Sequence, residues 1–466
     1  MTSRRPKNGS SRSNRPSKED LAVGESSGRH LLAKVVEPGF CSGCGLCAGI
    51  CPSSSLMMEY NGKKELVPHI KGHCSGCALC LNVCPFSGEG KSIDEVSEGL
   101  YGHLPGVGRL VEAGWFISAQ EGHACRGDFR SKGASGGMAS WFLTKVLKDG
   151  IADAVLSAGP DKARPGSWTF VRTEKPEDVV SLAGSVYHPV PFDEAFRAIM
   201  SEPPGIRLSV VALPCLAYGL RKAMRKIPLL GERIVLLASL TCGLMPTHRY
   251  SEYVSLESGV LPEEMGYINF RLPPDEPDSG NYRHVAISRD GVPGKPVSVK
   301  GIPDFLWGHG CFIQGGCLVC DDVFGETADV VFMDAWLPEY ARDTKGNSIV
   351  LCRSLLADSI VKGGVSSGEC RLRETAGERL LRSQVQTLWI KRLLLQGRLA
   401  KLEAEGLEYP RRRVVPDMKV YRENEKYFLL CERLKKAVEE LPLETFEDLE
   451  SFRNIVGHLM VDGADQ

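Results

Sequence analysis

The chain has 466 residues, of which 25% are charged and 42% hydrophobic, with a formal net charge of −1. That balance describes a globular chain of two or three domains and excludes a global field favouring nucleic acid or an anionic membrane. The longest uncharged apolar run, IVLLASLTCGLM from Ile234, is too short to span a bilayer.

Residues 1–30 are rich in Ser, Arg, Asn, Pro and Lys, a composition that cannot bury enough apolar surface to order itself, so a solvated tail is predicted. The tail lacks the apolar segment of a secretory signal. Seventeen cysteines without such a signal predict a reducing compartment, a cytoplasmic protein and thiols that ligate metal.

Residues 31–92 hold the strongest motif. CSGCGLCAGICP from Cys41 and HCSGCALCLNVCP from His73 both contain C-x2-C-x2-C-x3-C-P, the spacing of a two-cluster bacterial ferredoxin. Three closely spaced thiolates wrap one cubane, and the fourth, beyond a three-residue gap, reaches the neighbouring one. The spacing therefore assigns Cys41, Cys44, Cys47 and Cys84 to one 4Fe–4S cluster and Cys74, Cys77, Cys80 and Cys51 to a second. Pro52 and Pro85 stop the short helices from continuing, and Gly43, Gly45 and Gly76 leave room for backbone N–H groups beside the sulfides. A disulfide framework belongs to small secreted domains, and a zinc site needs only four ligands.

Residues 90–110 read as a linker, and 110–370 as an α/β domain. There β-branched runs alternate with helical patterns, as in parallel βαβ units. The predicted strands are IADAVLSAG (151–159), RLSVVALPC (207–215), RIVLLASLTCG (233–243), ADVVFMDAW (328–336) and NSIVLCRS (347–354), with helices at FDEAFRAIM and LAYGLRKAMRKI. A turn-rich stretch from Pro273 reads as a hairpin insertion. Residues 371–466 read as mainly helical, and 371–413 carry eleven Lys or Arg against five Glu. Such a stripe is a solvated helix face or a dock for an acidic electron carrier.

Two further constellations carry chemistry. SKGASGGMASWFLTKVL from Ser131 feeds small residues into a helix, where free N–H groups and the positive dipole end suit a phosphate, with Ser131 and Ser135 as hydroxyl donors. Beside one-electron clusters, a flavin is the cofactor such a loop suggests, because it exchanges both one and two electrons. Cys215, Cys242, Cys317 and Cys320 sit at strand ends or in a glycine-rich loop. Their spacing alone leaves open a third cluster, a zinc site, a redox dithiol or packing. Cys311 is the substitute ligand, Cys125 a candidate redox thiol, and Cys352, Cys370 and Cys431 read as packing residues. His69, His73, His103 and His123 lack partners at metal spacing. No catalytic residue is assigned.

From about Trp115 to Leu356 the chain resembles the coenzyme F-420 hydrogenase/dehydrogenase beta-subunit family. Its members include flavin subunits of deazaflavin-reducing hydrogenases and formate dehydrogenases, and 7-hydroxymethyl chlorophyll a reductase. The resemblance rests on GASGGMASWFL, ALPCLAYGLRK, LTCGLMP, GCLVCDDVFGETADVVFMDAW and KGNSIVLCRS, in the family's order. It implies FAD held partly by Ser135, Gly136 and Gly137, and a cluster held by Cys215, Cys242, Cys317 and Cys320. It also places Asp334, Asn347 and Ser348 near the flavin. Leu213 and Met333 replace the family's usual Thr and Gly before Cys215 and Asp334, which puts the second substrate's contacts in doubt.

The expected fold is α/β (α+β): a ferredoxin-like two-cluster module, an FAD-binding α/β domain and a helical C-terminal region. The expected function is an iron–sulfur flavoprotein oxidoreductase. It would couple ferredoxin or a similar low-potential carrier to hydride transfer with a deazaflavin coenzyme (coenzyme F-420) or a small organic substrate. The alternative is a relay subunit of a larger redox complex. No nucleic acid and no membrane span are expected, and a homo-oligomer or complex subunit is. The glycine-containing linker suggests that the module swings toward its electron donor.

Overall fold

The computed structural model describes residues 27–302 and 308–464, with side chains as far as Val461. The predicted tail therefore lies outside the described residues up to position 26, and from Ser27 the chain is helical (Ser27–Leu31).

The two cysteine loops lead into helices Leu46–Gly49 and Leu79–Val83. Each helix is preceded by a residue in the left-handed region, Gly45 at φ +76° and Ala78 at φ +58°, so the repeat in sequence is also a repeat in backbone shape. A hairpin joins the halves, β1 (Leu56–Tyr60) antiparallel to β2 (Leu66–Ile70). The segment 90–110 is not a free linker. Ser92 and Glu95 form a reciprocal capping box at the start of helix Ile93–Tyr101. Tyr101 then donates its hydroxyl to the Thr327 carbonyl at 3.1 Å. A short hairpin follows, β3 (Gly108–Leu110) with β4 (Gly114–Phe116).

The α/β region is built on β5 (Ser118–Ala124), β6 (Ala154–Pro160), β7 (Trp168–Thr173), β8 (Leu208–Val211) and β9 (Ile234–Leu240). A small sheet, β10 (Met265–Leu272), β11 (Arg283–Ser288) and β12 (Val297–Ser298), lies where the hairpin insertion was predicted. Then come β13 (Val330–Asp334), β14 (Ser348–Cys352) and β15 (Cys370–Glu374). The main sheet has eight strands in the order β15-β5-β14-β13-β9-β8-β6-β7. All five predicted strands are present, but only β6, β8, β9 and β13 pair in parallel. Antiparallel strands close both sides: β7 as a hairpin partner of β6, and β14, β5 and β15 beyond β13. The fold is thus mixed α/β, with a mainly helical C-terminal region that includes Leu394–Ala404, Glu425–Glu440 and Phe446–Ala464.

No seam separates the module from the sheet. Leu46, Ile50 and Val83 belong to the same hydrophobic cluster as Phe192, Phe196, Leu216, Leu220 and the sheet residues Val210 and Val331. Phe192 N–H donates to the Cys44 carbonyl at 2.9 Å, and buried Lys222 donates from Nζ to the carbonyls of Cys84 (2.9 Å) and Glu89 (2.8 Å). A Cβ on Gly45 would stand 2.7 Å from Phe192 N, and one on Gly219 2.8 Å from Leu46 Cδ2. These approaches are so tight that a swinging module is excluded: domains that move meet through wet, separable interfaces.

Candidate redox site

The twelve predicted ligands gather into three sets of four. Cys41 lies within electrostatic reach of Cys44 and Cys84, and Cys47 of Cys44, Cys41 and Cys84. Cys80 is close to Cys51, Cys74 and Cys77. Cys84 thus neighbours the first loop's thiols and Cys51 the second loop's. Cys215 is within reach of Cys242, Cys317 and Cys320. The sets also follow one another in a row, since Cys80 is within electrostatic reach of Cys47 and Cys44 of Cys215. At one end Cys77 is exposed; at the other Cys317 and Cys320 are buried.

The donor chemistry suits iron–sulfur clusters. Backbone N–H groups of Gly43, Phe86 and Met245 point at the sulfurs of Cys41, Cys84 and Cys317, each at 3.4 Å. Such bonds stabilise thiolate and help to set cluster potentials. Burial pushes the bare thiols up, Cys84 and Cys317 to about 12, so without a metal they stay protonated, and a metal would have to displace those protons to bind. Cys51 differs: burial works to raise it, but the Ser53 and Ser55 hydroxyls and backbone N–H groups outweigh that and bring it down to about 7. Among the described residues no three His, Cys, Asp or Glu side chains converge on one metal-ion position.

The third set stands at the carboxyl ends of adjacent parallel strands, where open α/β sheets place their sites. Cys215 follows β8 in the first turn of helix Pro214–Lys226, Cys242 follows β9, and Cys317 and Cys320 come from the tight turn Gly315–Val319. That turn leans on the module, with Gly316 N–H donating to the Cys41 carbonyl at 3.0 Å. Lys391 was not foreseen as a site residue. It is 2% exposed and donates from Nζ toward Cys320 Sγ at 3.5 Å and the Asp322 carbonyl at 3.0 Å. Burial works against its charge, but Cys320, Cys242, Cys317 and Asp322 outweigh it and hold the ammonium protonated. Cys311 lies beside Cys431 instead of this set and is no substitute ligand. Cys125 is exposed, with Sγ 3.9 Å from His123 Nδ1.

Asp334 ends β13, next to β9, and opens onto a cleft of about 280 Å³. Four predicted flavin contacts line it, Ser131, Ser135, Asp334 and Asn347, together with Arg130, Arg271, Tyr282, Trp336, Tyr340 and Lys345. Gly136, Gly137 and Ser348 do not. They are packed behind the wall: a Cβ on Gly136 would stand 2.7 Å from Gly122 O and from Ser348 N, and one on Gly137 2.4 Å from the Phe129 carbonyl. Gly136 thus lets the loop lie against β5 and β14, and Gly137 lets it lie against Phe129. Ser135 Oγ donates to the Asn347 carbonyl at 2.6 Å, and Asn347 Nδ2 to Asp343 at 2.9 Å.

The cleft's floor is an ion pair that sequence reading missed. Arg271, on β10, pairs with Asp334 at 3.1 Å and also donates to the Ala134 carbonyl. Its guanidinium lies 4.1 Å from the Tyr282 ring centre. Cations and aromatic rings together suit a planar ligand carrying phosphate, which is the chemistry of FAD. Leu213 and Met333, the two departures from the family pattern, do not line the cleft; Met333 is in the core. The basic stripe at 371–413 is broken up by pairing, although only Lys391 in it is buried. Arg373 and Arg379 pair with buried Glu121, Arg413 with Glu326, and Lys391 faces the cysteines, so it offers no continuous dock.

Among the described residues no helix is long and apolar enough to cross a membrane. Residues 206–378 match the C-terminal part of the family described as coenzyme F420 hydrogenase/dehydrogenase, beta subunit, and residues 119–197 match its N-terminal part. Residues 40–87 match the 4Fe-4S dicluster domain. The chain is 27% identical to the coenzyme F420 hydrogenase subunit beta of Methanothermobacter thermautotrophicus over 50% of this chain and 75% of that one. It is 24% identical to an uncharacterized protein of Methanocaldococcus jannaschii over 73% of this chain and 91% of that one. A chain of the F420-reducing NiFe hydrogenase complex from Methanosarcina barkeri superposes with a TM-score of 0.47 at 17% identity, covering 66% of this chain and 98% of that one. The first two matches together span more than half of the 466 residues. The chain belongs to the coenzyme F420 hydrogenase/dehydrogenase beta-subunit family, joined to a 4Fe–4S dicluster domain, and has an iron–sulfur redox role.

Proposed function

We propose that the protein is an iron–sulfur flavoprotein oxidoreductase that moves single electrons along three 4Fe–4S clusters to FAD in the Asp334 cleft. The single observation that carries this reading is the row of cysteine sets, which runs from exposed Cys77 to buried Cys317 and Cys320. Electrons from ferredoxin or a similar low-potential carrier would enter at the Cys77 end. Bound FAD supplies the exchange between one-electron and hydride chemistry. The chain's own residues do the rest. Arg271 and Asp334 fix the cleft floor, the Tyr282 and Trp336 rings flank it, and Arg130 and Lys345 offer positive charge to a phosphate. The hydride partner is a deazaflavin coenzyme or a small organic substrate.

Three outcomes test this reading. Cys51→Ser should damage the cluster held by Cys74, Cys77 and Cys80, seen by electron paramagnetic resonance; damage confined to the Cys41 set would refute the crossed assignment. Gly136→Val should push residues 133–137 off β14 and release flavin while the module's iron is retained. Stoichiometric FAD in that variant would sink the assignment of the cleft. In anaerobic stopped-flow mixing with reduced ferredoxin, flavin bleaching should be much slower in Cys44→Ser than in wild type. Equal rates would mean that electrons enter elsewhere.

The hydrogenase relative bears the name of a subunit, which favours a second reading, a relay in a larger complex. Hydride exchange between the isolated chain and a deazaflavin coenzyme would discriminate: a relay alone performs none.

A further inference from the structure

The helix that crosses the third cysteine set is interrupted by a π turn, Trp389–Leu393, between Val385–Leu388 and Leu394–Ala404. One π turn inserts an extra residue into an α-helix, is rare, and recurs at functional sites. Here Lys391 lies within it, and its ammonium reaches Cys320 Sγ and the Asp322 carbonyl. Its flanking neighbours Ile390 and Arg392 are only partly buried, so the turn brings one charged residue inward. Burying a lysine costs several kcal/mol unless it is compensated. Asp322 accepts through its backbone carbonyl, and no carboxylate within salt-bridge distance of Nζ is present among the described residues. Thiolates ligating a cluster would supply the compensating negative charge.

We infer that Lys391 is a positioning residue for electrons: its fixed positive charge beside Cys320 raises the reduction potential of the cluster in the Cys215, Cys242, Cys317 and Cys320 set. The inference rests on the three-cluster reading. On reduction, one electron leaves the cluster of the Cys41 set and the third cluster gains it, adding one negative charge next to the ammonium while no bond is made or broken. A nearby cation favours the more negative form, and charge and hydrogen bonds at the sulfurs are known controls of such potentials. In a site shielded from water this interaction is far stronger than on the surface. Electrons would then collect at the last cluster before the cleft.

The test is a potentiometric titration of anaerobically purified full-length protein, followed by electron paramagnetic resonance. The third signal is identified as the one lost in Cys317→Ser. In Lys391→Met and in Lys391→Gln, which keeps an N–H donor without the charge, iron content should stay at the wild-type level. The third signal should shift to lower potential, with the reduction equilibrium weakened about tenfold, ~59 mV for one electron. Lys391→Arg should restore most of it, and the two module signals should stay where they are. An unmoved third signal in both uncharged variants overturns the inference. So does loss of about four irons in both, which would make Lys391 a scaffold. If wild type holds only about eight irons and Cys317→Ser removes none, the three-cluster reading itself has failed and this inference falls with it.

Discussion

A chain that begins at residue 93 should not fold. Removing the module strips Leu46, Ile50 and Val83 from a cluster they share with Phe192, Phe196, Leu216 and Leu220. Each is 4% exposed or less, and full burial of one such side chain contributes roughly 1.5–3 kcal/mol. Three of them amount to a large share of the ~5–15 kcal/mol that holds a typical domain together. The truncation would also leave Lys222 buried with its two carbonyl acceptors gone. Expression of 93–466 should give aggregate or a non-cooperative melt, and residues 31–92 alone should load iron poorly. A well-folded 93–466 fragment with an unchanged melting temperature would show that the shared core is not needed. Gly219→Val gives a gentler version. Its Cβ meets Leu46 at 2.8 Å, so it should wedge the interface and cost several degrees, on the scale of ~1–3 kcal/mol for overpacking.

Changing Cys317 and Cys320 to Ser should remove about four of about twelve irons, since each cubane holds four. The row of sets makes a second effect follow. With its last station gone, electrons delivered at the Cys77 end should reach the module clusters but no longer the cleft. Ferredoxin-driven flavin bleaching should be lost, while bleaching by a hydride donor that enters the cleft directly should persist. An unchanged iron content would return these cysteines to the zinc, dithiol or packing readings. Retained ferredoxin-driven bleaching at reduced iron would mean that electrons bypass this set.

The sequence was legible wherever local pattern and local structure coincide. The doubled cysteine spacing marked the dicluster module, and the β-branched runs foretold β6, β8, β9, β13 and β14. Strand β5 (SAQEGHA) was hidden because polar Gln120 and Glu121 are buried between its two small core residues, Ala119 and Ala124. Glu121 is 1% exposed and is stabilised by Arg373, Arg379, Thr375 and Tyr340 from distant segments. The antiparallel flanks of the sheet were illegible for a related reason: alternation marks a strand but not its direction. Helix Ile93–Tyr101 did announce itself in the SIDE capping box, which glycines nearby masked. Arg271 and Lys391 lie in a turn-rich insertion and a basic helix, where charge ordinarily means solvent. Only contacts far apart in sequence turn them inward. The loop glycines were expected at the flavin, but they do not line the cleft, and β5, β14 and Phe129 stand where their side chains would be.

The burial of Cys317 and Cys320 has a consequence for how the protein is made. These two thiols reach their partners only after β8, β9 and the turn at Gly315 have come together, and by then helix Leu394–Ala404 and the π turn cover them. On the three-cluster reading, iron and sulfide would have to reach the third set before the C-terminal helices close. The outer set, with Cys77 at the surface, stays open to repair. Chemical reconstitution of already folded, iron-free protein should refill the outer site readily and leave the inner one empty, so maturation order is written into the chain's layering.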